Sequence, residues 1–177
     1  NNVFYATTQG ATEYTDKVGD GAGVFKSTDR GNNWTQINNG LDSLETNILT
    51  VDPNNSETLY LGTDDDGVYK STDGGDSWKK LTVSSIPKSF GVGDIIVDPQ
   101  NSNNIYIGTV DYFRLSESRG VLGDFGVYKS TDGGTTWEEF NMGLKHLGVF
   151  SLELSEENRI LYAGTRAGGV YWISLDS

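Results

Sequence analysis

The sequence predicts an all-β fold built from repeated four-stranded antiparallel units. Two observations support this prediction: one short phrase occurs three times, and short runs of β-branched and aromatic residues flank each copy. The copies share the pattern Ser-x-Asp-x-Gly-x-x-Trp and occupy residues 27–34, 71–78 and 130–137. A Gly-Val-Phe/Tyr-Lys run precedes each copy, so we expect each phrase to be the turn of a β-hairpin.

The residue types of this turn have a structural explanation. An Asp at the start of a turn accepts hydrogen bonds from backbone amides two or three residues further on, and the Gly can take a positive φ. The Trp carries a large apolar surface, which we expect to anchor the returning strand in the core. A catalytic site needs unlike neighbours rather than identical copies, so we interpret the recurring residues as structural. They are Ser27, Asp29, Gly31, Trp34, Ser71, Asp73, Gly75, Trp78, Ser130, Asp132, Gly134 and Trp137.

A second pattern extends the repeat beyond the phrase. Residues 59–63, 105–109 and 161–165 align with one another, and we take 3–7 as the fourth copy. Apolar runs precede three of these segments, and two of the runs end at Asp-Pro, where a strand ladder cannot continue. The first two phrase tryptophans lie 44 residues apart, which fits the period of about 40 to 45 residues of a four-stranded propeller blade.

We therefore predict β-propeller blades whose strands run from A, the innermost, to D, the outermost. The chain reads B-C-D, A-B-C-D, A-B-C-D and A-B-C, which is fourteen strands in about four blades. We expect a single domain with blades at about 1–40, 41–82, 83–143 and 144–177. Because closed propellers usually have about four to eight blades and the outer two blades are incomplete, we expect part of a ring of about six to eight.

The recurring phrase resembles the Asp-box of bacterial neuraminidase repeats. Such boxes occur in sialidases, xyloglucan-cleaving endoglucanases, sortilin-type receptors and photosystem II assembly factors. The resemblance covers essentially the whole chain and implies a β-propeller with the boxes between strands C and D. Because these proteins include enzymes, receptors and chaperones, the resemblance does not by itself define a function.

Composition restricts the possible functions. The chain has 177 residues and a formal net charge of −12, so we expect no binding of nucleic acid or anionic membranes by bulk electrostatics. No apolar run is long enough to span a bilayer. The absence of Cys excludes disulfides, a thiol nucleophile and Cys-ligated metals, and we predict no cofactor. The richness in Asn, Thr, Gly and Tyr resembles secreted or cell-surface proteins of bacteria and archaea.

Candidate ligand-binding residues lie in two long loops. In a meandering blade, the B-to-C and D-to-A connections open on one face, and the boxes lie on the other. The B-to-C loops at 8–23 and 110–126 exceed about 12 residues, a length that is usually functional or disordered. They combine aromatic, acidic and Arg side chains, a mixture that suits carbohydrate, although lids or packing surfaces for further blades are an alternative. The candidates are Tyr14, Asp16, Asp111, Tyr112, Phe113, Arg114, Glu117, Arg119 and, in the fourth unit, Arg166.

Three functional hypotheses follow. The first is a non-catalytic binding or scaffold propeller of a secreted or cell-surface protein that presents the long loops to a glycan or protein. The second is part of a glycoside hydrolase, either xyloglucanase-like with two loop carboxylates or sialidase-like with Arg114, Arg119 and Arg166. The third is a structural subunit of a surface layer or filament, whose open blade edges pair with neighbouring subunits. Further blades of the same chain would fill the same edges.

Two further features are assigned no function. Asp64, Asp65 and Asp66 are consecutive and do not match the alternating Asp spacing of a calcium loop, so we interpret them as a solvated turn and predict no metal site. His146 is the sole His and has no Ser or Cys motif near it. We therefore expect His146 to have a surface or packing role.

Overall fold

The structure is a computed structural model that describes residues 2–9, 21–86, 90–111, 124–141 and 143–175. These residues form fourteen β-strands in four antiparallel sheets. None of them forms a helix long and apolar enough to cross a membrane.

Each sheet is one blade, and the blades follow one another along the chain. The first consists of β1 (Phe4–Thr8), β2 (Gly23–Ser27) and β3 (Thr35–Gln36). The second consists of β4 (Thr46–Asp52), β5 (Asn55–Thr63), β6 (Val68–Ser71) and β7 (Lys79–Lys80). The third consists of β8 (Gly91–Val97), β9 (Ile105–Val110), β10 (Val127–Ser130) and β11 (Glu138–Glu139). The fourth consists of β12 (Val149–Ser155), β13 (Ile160–Thr165) and β14 (Gly169–Ser174).

The order of strands within each sheet is the order along the chain, so every blade is a meander. The three, four, four and three strands reproduce the predicted sequence from B-C-D to A-B-C. The innermost strands of the last three blades adjoin, since β4 contacts β8 and β8 contacts β12. The prediction of an all-β fold made of propeller blades is therefore confirmed.

The first-blade segment that aligns with residues 59–63, predicted at residues 3–7, lies one residue further along the chain. Phe4 pairs with Ser27 in the same ladder position in which Leu59 pairs with Ser71. The copy therefore occupies residues 4–8 rather than 3–7. The two adjacent threonines in β1 make the alternation ambiguous, so the sequence pattern alone did not define its register.

The boxes form the turns between strands C and D, as predicted. In the second box, Asp73 accepts hydrogen bonds from Ser71 Oγ at 2.7 Å, from the Ser77 backbone N–H at 2.9 Å and from Ser77 Oγ at 2.5 Å. Ser71 Oγ in turn accepts the N–H of Gly75 at 2.9 Å. The hydroxyls of Ser77 and Ser71 favour the charged carboxylate and lower the pKa of Asp73 to about 2.

Each box contains two consecutive left-handed residues, of which the sequence analysis identified one. The predicted glycines have φ values of 86°, 93° and 91° at Gly31, Gly75 and Gly134. The residue before each is left-handed too, with φ of 67° at Gly74, 71° at Gly133 and 64° at Arg30. Arg30 is therefore the one box position of this kind that carries a Cβ in a conformation that favours glycine.

Neighbouring blades pack through alternate residues of their B strands. Leu59 and Leu61 on β5 pack with Val24 of the first blade, whereas Tyr60 between them joins the core shared with the third blade. Tyr106 on β9 likewise joins the core shared with the fourth blade. All five side chains are at most 1% exposed. The alternation of a strand thus lets each of the two central blades bury both of its faces.

In the first two blades, the Lys that ends the Gly-Val-Phe/Tyr-Lys run connects the blade to the box of the next. Lys26 Nζ donates a hydrogen bond to the Gly74 carbonyl at 2.8 Å, and Lys70 Nζ donates one to the Gly133 carbonyl at 2.9 Å. Lys70 Nζ also lies 5.2 Å from the centre of the Tyr60 ring, within cation–π range. The run before each of the first two boxes therefore helps to position the following blade.

The box tryptophans pack against the preceding blade. Trp78 and Trp137 are 5% and 8% exposed, as expected of core anchors, and Trp78 Nε1 donates to the Ile37 carbonyl of the first blade at 2.8 Å. Trp34 is 43% exposed, so the prediction of a core role is wrong for this residue. The reason is that no described residue supplies a blade before the first one.

The far face of the fourth blade is exposed in the same way. Val170 and Trp172 on β14 are 69% and 67% exposed, whereas Val68, which occupies the position of Val170 in the second blade, is fully buried. The row of four blades therefore ends in an apolar face at each end.

Replacing Arg30 by glycine is expected to stabilise the protein. The left-handed conformation costs a residue with a Cβ about 1 to 2 kcal/mol, and the greater freedom of glycine in the unfolded chain offsets about 0.5 to 1 kcal/mol of that gain. We expect Arg30→Gly to raise the melting temperature in a calorimetric scan by roughly 2 °C. Arg30→Ala is the matched control, because it keeps the Cβ and should give no increase. An equal increase in both variants would contradict the assignment of backbone strain to this position.

Candidate functional site

The B-to-C and D-to-A connections meet on one face of the blades, which we call the loop face. In the first three blades, the first residue of the C strand, or the residue just before it, is a glycine whose N–H donates to a carbonyl of the D-to-A connection. The donor and acceptor pairs are Gly23 and Leu44 at 3.1 Å, Gly67 and Phe90 at 3.0 Å, and Gly126 and Leu147 at 2.9 Å. These bonds bring the two kinds of connection together in the first three blades.

Long and short B-to-C connections alternate on the loop face. The second and fourth blades have short turns, at 64–67 and 166–168, and the structure describes both. The long loops of the first and third blades are described at their bases, which are Gln9 with Gly21 and Asp111 with Asp124. Among the predicted site residues, Asp111 and Arg166 are described. The others lie outside the described residues, and they are Tyr14, Asp16, Tyr112, Phe113, Arg114, Glu117 and Arg119.

The structure brings Asp111 and Arg166 together. Asp111 is 6% exposed, and its N–H donates to Asp124 Oδ1 at 2.9 Å, which joins the two ends of the third-blade loop. The Arg166 guanidinium donates to the carbonyl of Asp111 and lies 5.2 Å from the centre of the Phe150 ring. Arg166 therefore links the short turn of the fourth blade to the base of the long loop beside it. Arg114 and Arg119, with which Arg166 was predicted to act, are outside the described residues.

Asp64 corrects the prediction of a solvated turn. Asp64 is 1% exposed, and its Oδ2 accepts a hydrogen bond from Gln9 Nε2 at 2.7 Å. Oδ1 is buried without a hydrogen-bond partner. Burial raises the pKa of Asp64, the hydrogen bond from Gln9 opposes this rise, and the charge of Asp65 adds to it. The Asp directly after β5 thus faces inward, towards the base of the first loop.

The other two carboxylates of this turn have different partners. Asp65 Oδ1 accepts the hydroxyl of Ser43 at 3.1 Å, and Asp66 accepts Tyr69 Oη and forms an ion pair with Lys80. Among the described residues there is no group of three or more His, Cys, Asp or Glu side chains that could hold a metal ion. The three aspartates therefore bind separate partners: Asp64 binds Gln9, Asp65 binds Ser43, and Asp66 binds Tyr69 and Lys80.

Sequence reasoning also missed Asp94, on the innermost strand of the third blade. Its Oδ2 accepts the N–H of Leu152 at 2.8 Å, which links β8 to β12, and Oδ1 accepts its neighbour Ile95 N–H at 2.8 Å. Burial raises the pKa of Asp94, and these two backbone donors oppose the rise. A register shift in β8 between Val92 and Asp94 breaks the strand alternation, so the sequence pattern could not show this contact.

His146 lies at the surface of the loop face. Its residue is exposed, and a Cβ added at Gly168 would come within 2.4 Å of His146 Cδ2. The imidazole therefore covers the short turn of the fourth blade, where Gly168 leaves room for it.

The carboxyl groups in the described part of the loop face have different surroundings. Hydrolysis of a glycosidic bond requires two carboxyl groups about 5 to 9 Å apart on either side of the substrate. Burial raises the pKa of Asp64, whereas a hydrogen bond joins Asp111 and Asp124 at the base of a loop. The arrangement provides rigid loop bases, one exposed guanidinium and buried carboxylates.

The pH dependence of stability tests the environment of Asp64. The folded-state pKa of Asp64 lies above the unfolded value of 3.8, so its contribution to stability is fully present below pH 3.8 and is lost as the pH rises through the folded pKa. Asp64→Asn removes this loss. We expect the melting temperature of the variant, relative to the unmodified protein, to rise between pH 3.5 and about pH 7.

The control for this experiment is Glu156→Gln, at an exposed position of the fourth blade. Because this carboxylate lies at the surface, the substitution should change the melting temperature by much less than Asp64→Asn. A difference at Asp64 that falls as the pH rises would mean that the carboxylate is stabilised in its charged form, contrary to the structure.

Several solved structures share this fold. A GH74 enzyme described as ancestral is 25% identical, with a TM-score of 0.74, and the match covers 97% of this chain and 21% of that one. The GH74 enzyme of Niastella koreensis is 25% identical, with a TM-score of 0.70 and coverage of 99% and 27%. The chain thus spans about a quarter or less of the length of these enzymes.

YCF48 from Cyanidioschyzon merolae shows the same fold at 11% identity, with a TM-score of 0.63 and coverage of 89% of this chain and 46% of that one. YCF48 has also been solved bound to a D1 peptide. At this identity the likeness concerns the fold alone.

The sequence itself matches one family. No curated protein matches the chain significantly. Residues 22–170, which run from the start of the second strand into the last one, match the family described as Sortilin-Vps10 (Sortilin, neurotensin receptor 3). With the repeated boxes, the meandering blades and this match over most of its length, the chain belongs to the Sortilin-Vps10 family.

Proposed function

We propose that the chain is a non-catalytic binding and scaffold propeller of a secreted or cell-surface protein, which presents its long B-to-C loops to a glycan or protein partner. The observation that carries the proposal is the alternation of long and short connections on the loop face. The short turn of the second blade lies between the bases of two long loops, at Gln9 and at Asp111.

The bases of both loops are held by hydrogen bonds, which suits a binding role. In the first blade, the Ala22 N–H donates to Thr8 Oγ1 at 2.9 Å, and Gln9 reaches Asp64 of the second blade. In the third blade, Asp124 and Arg166 hold the two sides of Asp111. Binding loops on a rigid scaffold need such fixed ends, because ordering a free loop costs affinity.

The residue types of the loops favour a neutral or polar partner. Aromatic rings stack on sugar faces or on peptide side chains, and Arg and carboxylate groups bind hydroxyls and amides. The net charge of −12 disfavours nucleic acid and anionic membranes. The peptide complex of YCF48 supports a protein partner as one of the two ligand classes.

Variants in the third-blade loop test the proposal. We expect Tyr112→Ala and Phe113→Ala each to weaken binding of the preferred probe at least about tenfold, which corresponds to about 1.4 kcal/mol of lost stacking. A peptide display library selects candidate peptides. Calorimetric titration with these peptides, a xyloglucan oligosaccharide and sialyllactose then identifies the preferred probe. The control is Trp172→Ala, an exposed aromatic residue outside the loop face. Unchanged binding in both loop variants would contradict the assignment of the loop.

A glycoside hydrolase is the second candidate, and the likeness to GH74 enzymes and the buried carboxyl of Asp64 favour it. Release of reducing ends from xyloglucan and of sialic acid from sialyllactose decides between the candidates. In an enzyme, Asp111→Asn or Glu117→Gln should abolish turnover and leave binding largely intact. Binding without turnover in the unmodified chain would support the non-catalytic function.

The exposed faces at the two ends of the row support further blades or neighbouring subunits as partners. The internal blade junctions bury Val68 and Val127, which occupy the position of Val170 in the second and third blades. Within a surface layer or filament, these faces would pair between subunits. We expect sedimentation velocity to show that the chain associates and that the associated fraction grows with concentration. Trp172→Lys introduces the Lys that the other blades carry at this position, and it should weaken the association. A monomer at all concentrations would contradict the subunit role.

A further inference from the structure

A groove lies on the outer rim of the molecule, where the second blade meets the box of the third. Its volume is about 550 Å³, and we call it the lysine groove. The lining combines three lysines with apolar and hydroxyl groups, among them Lys70, Lys79, Lys80, Trp78, Leu81 and Thr135. It is separate from the loop face, because it is built from strands C and D and from the boxes.

The lysine groove contains two like charges that face each other. Lys70 on β6 and Lys79 on β7 are direct partners in the antiparallel ladder, so their side chains lie on the same side of the sheet. Like charges in this position destabilise a sheet. The other two blades avoid it, because the corresponding pairs are Lys26 with Thr35 and Lys129 with Glu138.

Two carboxylates near the groove are already engaged. Asp66 forms the ion pair with Lys80, and Asp73 of the adjoining box accepts the hydrogen bonds of its own turn. Lys70 Nζ is held at the Gly133 carbonyl. Lys79 is exposed, and within the described ranges its ammonium makes no hydrogen bond or ion pair. A positive charge is thus left over in a chain whose net charge is −12.

The outer edge of β7 is open over its two residues, Lys79–Lys80. β7 is the outermost strand of the second blade and has no partner strand among the described residues on this side of the sheet, whereas the N–H of Trp78 just before it donates to the Asn39 carbonyl at 2.9 Å. An extended segment can add to such an edge through main-chain hydrogen bonds, and its alternate side chains then face the same side as Lys79. An acidic side chain there would neutralise the facing lysines.

We propose that the lysine groove binds an extended acidic polypeptide segment, which pairs with the outer edge of β7 and places a carboxylate between Lys70 and Lys79. Leu81 is the apolar side chain under the segment, and Thr135 borders it with a hydroxyl. Because the net charge of the chain is −12, the chain as a whole repels an acidic segment, which favours the lysines of the groove as the place of binding. This site goes beyond the proposed role of the loop face.

The test is a fluorescence anisotropy titration of the whole chain with labelled hexaglutamate. We expect saturable binding that weakens at least tenfold in Lys79→Glu and about threefold in Lys79→Thr, which copies the neutral pair of the first blade. Lys145→Glu changes the net charge by the same amount on the loop face and should leave binding unchanged. Lys79→Glu should keep or raise the melting temperature, since it removes a like-charge pair, so lost binding cannot be attributed to unfolding.

Two comparisons separate the proposed partner from other anions. Hexaglutamate methylated at alternate backbone nitrogens keeps its charge and loses the donors for strand pairing, so it should bind at least fivefold more weakly. Equal binding of the methylated peptide, or tighter binding of a sulfated oligosaccharide of equal charge, would overturn the proposal of a peptide strand. Equal weakening by Lys145→Glu would overturn the site. Tyr112→Ala should leave hexaglutamate binding intact. A failure of the loop-face proposal can therefore be distinguished from a failure of the lysine-groove proposal.

Discussion

The contact on which the rest of this structure depends joins the C strand of one blade to the box of the next. Lys26 and Lys70 donate to the first glycine carbonyl of the following box, and Trp78 donates back to the blade before it. Between these polar bonds, alternate residues of each B strand fill the cores on either side. A blade of four short strands buries enough apolar surface only when neighbours cover both of its faces. The boxes of the second and third blades each contribute to the junction with the blade before them.

This contact separates the two faces of the molecule. It fixes each blade in the same orientation, so all boxes lie on one face and all B-to-C connections on the other. The aspartates show the consequence. Asp73 is exposed and accepts hydrogen bonds from Ser77 and Ser71, which lower its pKa, whereas Asp64 is buried with Gln9 as its partner, and burial raises its pKa. One residue type thus serves as a turn former on one face and as a protonatable group on the other.

The parts of the fold that the sequence predicts are those that depend on neighbours in the chain. The strands, their order, the hairpin turns and the positive φ of Gly75 follow from local pattern and turn chemistry. The exposure of Trp34 was not predicted, because it depends on whether another blade covers it. The register of β1 was off by one because the pattern of two threonines fits either alignment.

The candidate site was predicted less completely for a related reason. The loop face and the length of its two long loops follow from the repeat. The contacts that define its chemistry join residues far apart in sequence, namely Gln9 with Asp64 and Asp111 with Arg166. No local pattern encodes such pairs. The lysine groove was not predicted, because a lysine in an edge strand is usually explained by its protection against edge-to-edge aggregation. Only the strand register shows that Lys79 faces Lys70.

Equilibrium unfolding in urea, followed by fluorescence in two single-tryptophan variants, tests most directly whether the cross-blade contacts hold the blades together. One variant keeps Trp78, which reports on the junction of the first and second blades, and the other keeps Trp137, which reports on the junction of the second and third. If the cross-blade contacts hold the blades as one cooperative unit, the two transitions have the same midpoint and slope. Two separate transitions would show that the blades fold independently and would contradict the account.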